Sequence, residues 1–403
     1  MSHSIVAVLS AGLCLCLAAF CAYSLISVWA AFKWKRSRPT ISKSWQPGVT
    51  ILKPVRGIES PHTYDNFASF CQQDYPADKI QIVFGCQDPL DPVIEIVRRL
   101  QREFPDRKID LICGSGLPGA GSNLKVRNLI AMLPLAVFEH LVLCDSDMRV
   151  DRDYIRRIVA PFRHHDSGET AAANAKQVGC VTCPYRGALP QSLSAILEGL
   201  GIGADFIPGT LTSRALEGVG FAFGSTIVIP RSILAQIGGF EQILDELADD
   251  FRLGEAVRKA GYEVILSDYV VDDVLGAERL RPMWDRRLRW AKTVRSCRPG
   301  GYAGMFITYG IPLALLLFGL AGGTKLAASA LIITTGVRLS CAWIVATLCT
   351  KDRLVSRFLL LLPLSDIFSF ALYVASYGSN RIVWRGDTFY LQKGGKMVRA
   401  EDH

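Results

Sequence analysis

The chain has 403 residues, half of them hydrophobic and a fifth charged, with 45 Lys plus Arg against 37 Asp plus Glu. So much apolar material excludes intrinsic disorder, which requires few apolar residues. A positive mean hydropathy of +0.25 argues against a plain soluble enzyme and for membrane segments that collect the excess.

The first predicted element is such a segment. Residues 4–32 carry no charge and exceed the roughly 20 apolar residues that cross a bilayer. No basic residue precedes them in that run, whereas Lys33, Lys35, Arg36 and Arg38 follow. A signal peptide has the reverse order. Residues 1–38 therefore read as a retained anchor with its basic flank in the cytoplasm, which places the next domain there too.

From 45 to 300 short β-branched runs alternate with amphipathic ones. Residues 49–55, 80–88, 108–114 and 140–147 read as strands, and 92–104 and 123–133 as helices between them. Strands apolar along their whole length belong in a parallel sheet covered on both faces. The pattern predicts a doubly wound α/β domain. Ligands in such folds bind beyond the carboxyl ends of the strands, where Lys53, Asp88, Asp145 and Asp147 gather. No P-loop, no GxSxG and no proper GxGxxG is present. Gly199, Gly201 and Gly203 follow no β-rich run and read as helix packing or a loop. Cys180 and Cys183 form a CxxC with no second pair, so the twelve cysteines read as small thiols in a reducing cytosol. His164–His165 reads as a solvated helix end.

Three features carry chemistry. Asp145-Ser146-Asp147 follows the buried run LVLC. Two carboxylates there reach one hard cation, which prefers oxygen ligands; the plainer alternative is that Asp and Ser cap the next helix. Asp249-Asp250 opens a helical pattern, either as a general base tuned by a neighbouring acid or as first-turn acids favoured by the helix dipole. Arg286-Arg287-Leu288-Arg289-Trp290 sits in a basic run with Arg279, Arg281, Lys292, Arg295 and Arg298. It suits a diphosphate, which planar guanidinium recognises well, or an interfacial helix attracted to anionic lipid. The run abuts membrane segments and no nucleic-acid motif occurs, so nucleic acid is not an expected partner.

Apolar segments return at 305–323, 326–348 and 358–378. Three crossings put the tail outside, yet it holds Arg381, Arg385, Lys393, Lys396 and Arg399, against the positive-inside rule. Pro363, Ser365 and Asp366 interrupt the last segment, so the number of spans stays open. The expected organisation is an anchor (1–38), a catalytic domain (45–300), membrane helices (301–380) and a basic tail (381–403).

Lys53-Pro54, Gln87-Asp88, DSD, ADDF and RRLRW occur in an order that resembles family-2 glycosyltransferases of the GT-A fold, within them the ceramide glucosyltransferase group. LKPVRGIE (52–59), NFASFCQQDYP (66–76), LKVRNL (124–129) and CDSDMRV (144–150) support this. VFGCQDPLDP, VTCPYRG and GSTIVIPR are similar to the bacterial hopanoid-biosynthesis-associated subgroup. The resemblance implies a GT-A mixed sheet and transfer of N-acetylglucosamine from UDP to a hopanoid polyol, bacteriohopanetetrol, at the bacterial inner membrane. Ceramide glucosylation is the alternative. It further implies that Asp88 contacts uridine, that Asp145 contacts the nucleotide-sugar, and that Lys53 and Lys125 also bind it. Asp147 would hold Mg²⁺ or Mn²⁺ and Asp250 would be the base. Arg286, Arg289 and Trp290 match a (Q/R)xxRW motif that closes over diphosphate and acceptor. This chain has Asp249 where the family usually has Glu. One in-line displacement would invert the anomeric centre. The competing classes are a non-catalytic nucleotide-sugar-binding subunit, disfavoured because the acids and Arg289 are all present, and a polysaccharide synthase, which needs more spans.

Overall fold

A computed structural model describes residues 3–37, 41, 44–114, 121–163, 176–384, 387–392 and 394–399. Arg38, His164–His165, Arg385 and Lys393 lie outside them. The chain divides into two compact units. One comprises Ser37–Leu189, Glu217–Gly276 and Lys396–His403; the other comprises Met1–Arg36, Pro190–Leu216 and Ala277–Gly395.

The first is a sheet unit. The four apolar runs form β1 (Val49–Pro54), β2 (Ile80–Cys86), β3 (Lys108–Cys113) and β4 (His140–Leu143). They are followed by β5 (Met148–Arg149), β6 (Val178–Thr182), β7 (Tyr185–Ala188), β8 (Ile227–Pro230), β9 (Glu263–Leu266) and β10 (Val271–Val274). A seven-stranded sheet runs β3-β2-β1-β4-β8-β6-β9. Its first four strands are parallel, β8 is antiparallel to both β4 and β6, and β9 is parallel to β6. The sheet is thus mixed, and its parallel part is the part with continuous apolar runs. Successive side chains alternate faces: Ile51, Val142 and Phe84 enter one core, Leu52, Leu141 and Val83 the other. Both faces are covered, as the lack of a polar face on these strands requires.

A smaller sheet, β5-β10-β7, lies beside it. β10 runs antiparallel to β5 and parallel to β7. The DSD tripeptide is the link from β4 in the large sheet to β5 in the small one. Tail residue Met397 donates its N–H to the Asp245 carbonyl (2.9 Å).

The second unit is helical. His3–Arg36 is one continuous helix; Leu17 packs with Leu313, Ala314, Leu317 and Ala327. Among the described residues two helices are long and apolar enough to cross a membrane, Ser4–Arg36 and Lys325–Thr350. The segment expected at 305–323 is instead a bent pair, Pro299–Thr308 and Gly310–Leu320, at 60°. Tyr309 leaves helical dihedrals (φ −89°, ψ 58°). Pro312 has no N–H to give and its ring would clash with the carbonyl of Thr308 in a straight helix. The segment expected at 358–378 supplies only Leu362–Ala375 after a 3₁₀ turn, short of the ~20 residues for a span. Its polar interruptions face protein: Asp366 takes two hydrogen bonds from Arg338 (2.7 and 2.9 Å) and Ser365 donates to the Leu197 carbonyl.

The expected domain boundary at 300 is not where the units part. Residues 190–216 and 277–300 go with the helices. Leu193–Gly201, a π-turn at Ile202–Phe206 and Ile207–Glu217 form one apolar helical run. Gly201 and Gly203 are helix-packing glycines, since an added Cβ at Gly201 would strike the Arg287 guanidinium and one at Gly203 the Asp352 carboxylate.

Candidate active site

The site is built where β4 stops. Cys144 still donates to the Leu52 carbonyl, and then the chain leaves the large sheet. Asp145 donates its N–H to the carbonyl of Gly224 (3.1 Å), while Gly224 donates its own N–H to Asp250 Oδ2 (2.8 Å). One glycine therefore ties the DSD loop to the start of helix Asp249–Lys259. A Cβ at Gly224 would press on Asp145 Oδ2 and Lys125 Nζ, so a larger residue here would displace these side chains.

Lys125 lies in the first turn of the helix Leu124–Met132, which Asn123 caps by accepting from the N–H of Lys125 and Val126. Its ammonium bridges Asp145 Oδ1 (2.8 Å) and Asp249 Oδ2 (3.1 Å). Burial alone would push this ammonium down, but Asp145, Asp249 and Asp250 hold it well above its ordinary range. Asp249 is thus one half of an ion pair. Asp250 is pushed up to about 6, by burial first and then by the charge of Asp249. Its Oδ1 accepts from the N–H of Phe251 (2.7 Å). Two backbone N–H groups therefore fix the orientation of a carboxyl that titrates near neutrality, as a general base needs.

Asp147 is held by its main chain. Its carbonyl accepts from Val274 N–H of β10 (3.0 Å) and from Asn66 Nδ2 (3.3 Å). Its carboxyl is pushed up to about 7, by burial first and then by Glu59 and Asp145. Oδ1 is out of contact with solvent and has no hydrogen-bond partner. A buried acceptor left so is costly unless something absent from the protein completes it. A hard divalent cation fits: the donors are oxygens only, and Mg²⁺ is commonly held by one or two carboxylates plus substrate phosphates. Among the described residues no three His, Cys, Asp or Glu side chains cluster as a ready-made cage, which is compatible with such a shared site. The CxxC of Cys180 and Cys183 consists of two buried free thiols.

The other expected residues fall differently. Lys53 does not present its ammonium to solvent. It is fully buried, donates to the Asp145 carbonyl (2.8 Å) and lies over the Phe70 ring at 3.9 Å. The physical reason is its place on the central strand β1, under the helix that carries Phe67 and Phe70; it supports the DSD loop from behind. Asp88 is exposed, and its Oδ1 accepts from Leu90 N–H (2.9 Å), closing the turn after β2. Arg286, Arg289 and Trp290 belong to the helical unit, on helix Leu280–Cys297. Arg286 already carries two carboxylates, Glu198 (2.5 Å) and Glu278. Arg289 lies over the Trp384 ring (5.8 Å), and Trp290 is exposed. Two participants were not singled out from sequence. Glu59, whose Oε2 accepts from Ser146 Oγ (2.7 Å), lies in the quoted LKPVRGIE, where a lone acid carries no signal. Gly224 lies in GSTIVIPR, and a glycine three residues before a buried strand is the hint that was available.

The model described as Glycosyl transferase family 21 matches residues 12–397. Ceramide glucosyltransferase 3 of Caenorhabditis elegans is 21% identical over 278 residues, 68% of this chain and 56% of that protein. The ceramide glucosyltransferase of Candida albicans is 31% identical over 120 residues, 28% of this chain and 22% of that one. The chain spans about half the length or less of these curated relatives. Among solved structures, the mannosyltransferase PcManGT of Pyrobaculum calidifontis, in complex with GDP-Man and Mn²⁺, superposes with a TM-score of 0.50 at 20% identity, over 92% of this chain and 99% of that one. That likeness establishes the fold.

Proposed function

The chain belongs to glycosyl transferase family 21, and on that premise we propose that it transfers a sugar from a nucleoside-diphosphate sugar to a hydroxyl of a membrane lipid. The observation that supports the reading is the convergence of Asp145, Asp249 and Asp250 around Lys125 and Gly224, with Asp147 two residues after Asp145, beyond the carboxyl end of β4. That is where ligands bind in open α/β sheets. The finer assignment is N-acetylglucosamine, from UDP, to a hopanoid polyol, supported by the similarity of GSTIVIPR and VTCPYRG to that subgroup. A ceramide acceptor with glucose is the second reading, favoured by the names of the relatives.

In the mechanism, Asp250 takes the proton from the acceptor hydroxyl as that oxygen attacks the anomeric carbon, and the nucleoside diphosphate leaves from the opposite side. One displacement inverts the configuration. Gly224 and Phe251 N–H groups hold the base in place, and its raised pKa gives it proton affinity near pH 7. Lys125 keeps Asp145 and Asp249 fixed and their charges balanced. Asp147 would hold a divalent cation, Mg²⁺ or Mn²⁺, which when bound supplies positive charge to the diphosphate. Arg289 and Trp290 keep the roles their motif implies, diphosphate and acceptor. Lipid glycosylation also accounts for the apolar helices, since the acceptor never leaves the bilayer. The proposed setting is a bacterial inner membrane with the sheet unit in the cytoplasm.

The test is incubation of membranes containing the chain with several UDP-sugars, followed by lipid extraction and mass spectrometry. A single added hexose or N-acetylhexosamine on a polar lipid is expected, absent with Asp250→Asn. Polymer, or no sugar-bearing lipid with any donor, overturns the reading.

A further inference from the structure

The stretch that reads from sequence as a basic tail contains, within the helical unit, an antiparallel strand pair. β11 (Arg381–Trp384) and β12 (Asp387–Leu391) set Ile382 opposite Phe389 and Trp384 opposite Asp387. Alternate side chains of a strand share a face. Ile382 and Phe389 are buried whereas Val383 is exposed, so Trp384 stands on the inward face beside Ile382. Two strands alone are marginally stable in water and need an element to pack on.

That element is helix Leu280–Cys297, the one that carries the RRLRW motif. Lys292 is buried and donates to the Arg381 carbonyl (2.7 Å), and Arg295 donates to Asn380 Oδ1, directly before β11. Cys297 Sγ meets the Gly394 carbonyl (3.8 Å), beyond β12. One turn before Lys292, Arg289 lies over the Trp384 ring at 5.8 Å. Residues 289, 292 and 295 are three apart and therefore neighbours on the helix surface. The strand follows that side in reverse, from Asn380 opposite Arg295 to Trp384 opposite Arg289.

The two arginines of the motif are thus supported by different chemistry. Arg286 lies between Glu198 and Glu278, two carboxylates that bring countercharge. Arg289 rests on an aromatic face, which attracts a guanidinium through the ring quadrupole and adds no charge of its own. Support of this second kind restrains a guanidinium without consuming the charge that an anion needs. Charge held in place before the ligand arrives is what stabilises a leaving diphosphate best.

We infer that Trp384 is a positioning residue for the donor diphosphate: it holds Arg289 in its binding orientation, which makes the C-terminal strand pair a working part of the transferase. The inference rests on the function proposed above, in which Arg289 meets that diphosphate. In the test, the full chain in neutral detergent with Mg²⁺ is titrated with UDP by calorimetry, and thermal melting is measured alongside. Trp384→Leu keeps apolar bulk and removes the ring; it is expected to weaken UDP binding about fivefold. Trp384→Phe restores a ring face and is expected to recover most of the loss. In an Arg289→Gln background Trp384→Leu is expected to cost nothing further, because a residue that acts only through another is not additive with it. Should Trp384→Leu fail to fold, Lys292→Met loosens the strand at Arg381 and carries the same test: UDP affinity falls, and the fall vanishes beside Arg289→Gln. Unchanged UDP affinity in Trp384→Leu, or equal losses with and without Arg289, overturns the inference and leaves the transferase reading standing. A wild-type chain that binds no UDP overturns that reading, and this inference with it.

Discussion

Replacing Lys125 by Met keeps the aliphatic stem and removes the ammonium that joins Asp145 at 2.8 Å and Asp249 at 3.1 Å. Three carboxylates, those two and Asp250, then face one another with no cation between them. Breaking a fully buried pair costs about 3–5 kcal/mol, whereas an exposed pair is worth under about 1 kcal/mol. Here the side chains are 18% (Lys125), 36% (Asp145) and 13% (Asp249) exposed, so about 2–3 kcal/mol is expected. For a unit of this size that lowers the melting temperature by roughly 5–10 °C. The assay is thermal unfolding of the detergent-solubilised chain, with UDP binding measured by calorimetry. Adding Asp249→Asn to Lys125→Met should recover part of the loss, because the second change removes one of the stranded charges. A Lys125→Met protein that melts within a degree of wild type and binds UDP equally well would show that this lysine does not organise the acids.

Further outcomes follow from the same geometry. Gly224→Ala is expected to lower transfer at least tenfold, because the methyl group must displace Asp145 or Lys125; transfer rates of the variant check it, and near wild-type activity argues against the close packing. Asp250→Asn is expected to abolish transfer while raising stability at pH 7.5. Its folded pKa of about 6 lies above the ordinary 3.8, so the stability this carboxyl contributes is full below about pH 4 and lost as pH rises through 6. The difference amounts to about 3 kcal/mol, and melting curves of the two proteins in chelator should converge toward pH 4. Chelation is expected to stop transfer, with Mg²⁺ or Mn²⁺ restoring it in wild type but not in Asp147→Asn; undiminished rates in EDTA would remove the metal role. Lys53→Met should cost stability and transfer together, through the DSD carbonyl it holds, and leave the salt dependence of UDP binding unchanged. A changed salt dependence would return Lys53 to direct phosphate contact.

The parallel half of the sheet was readable because β1, β2 and β4 are mostly apolar on both faces, and only strands covered on both faces look so. The antiparallel insertion β8 and the short strands β5, β7 and β10 were not, since two to four residues carry no periodicity. Asp145, Asp147 and Asp250 could be picked from position and family order. Their connection through Gly224 could not, because it rests on backbone groups 79 residues beyond Asp145 in the chain. Lys53 shows a different failure: a lysine at a strand end normally reaches solvent, and only the aromatic pair Phe67 and Phe70 from the next helix encloses it. The 193–217 run carries the apolar character of a membrane-side element, yet it is interrupted in sequence by glycines, and its grouping with the distant C-terminal helices is a tertiary fact.

The acidic tripeptide is moored at both ends to different frameworks. Asp145 is fastened through Gly224 to the seven-stranded sheet, and Asp147 through Val274 to the three-stranded one. Local fraying of either framework therefore dismantles the loop, so neither acid is able to drift while the other stays put. Deuterium uptake at the Asp145 and Val274 amides should accordingly be slow and rise in step, long after the exposed helix ends have exchanged.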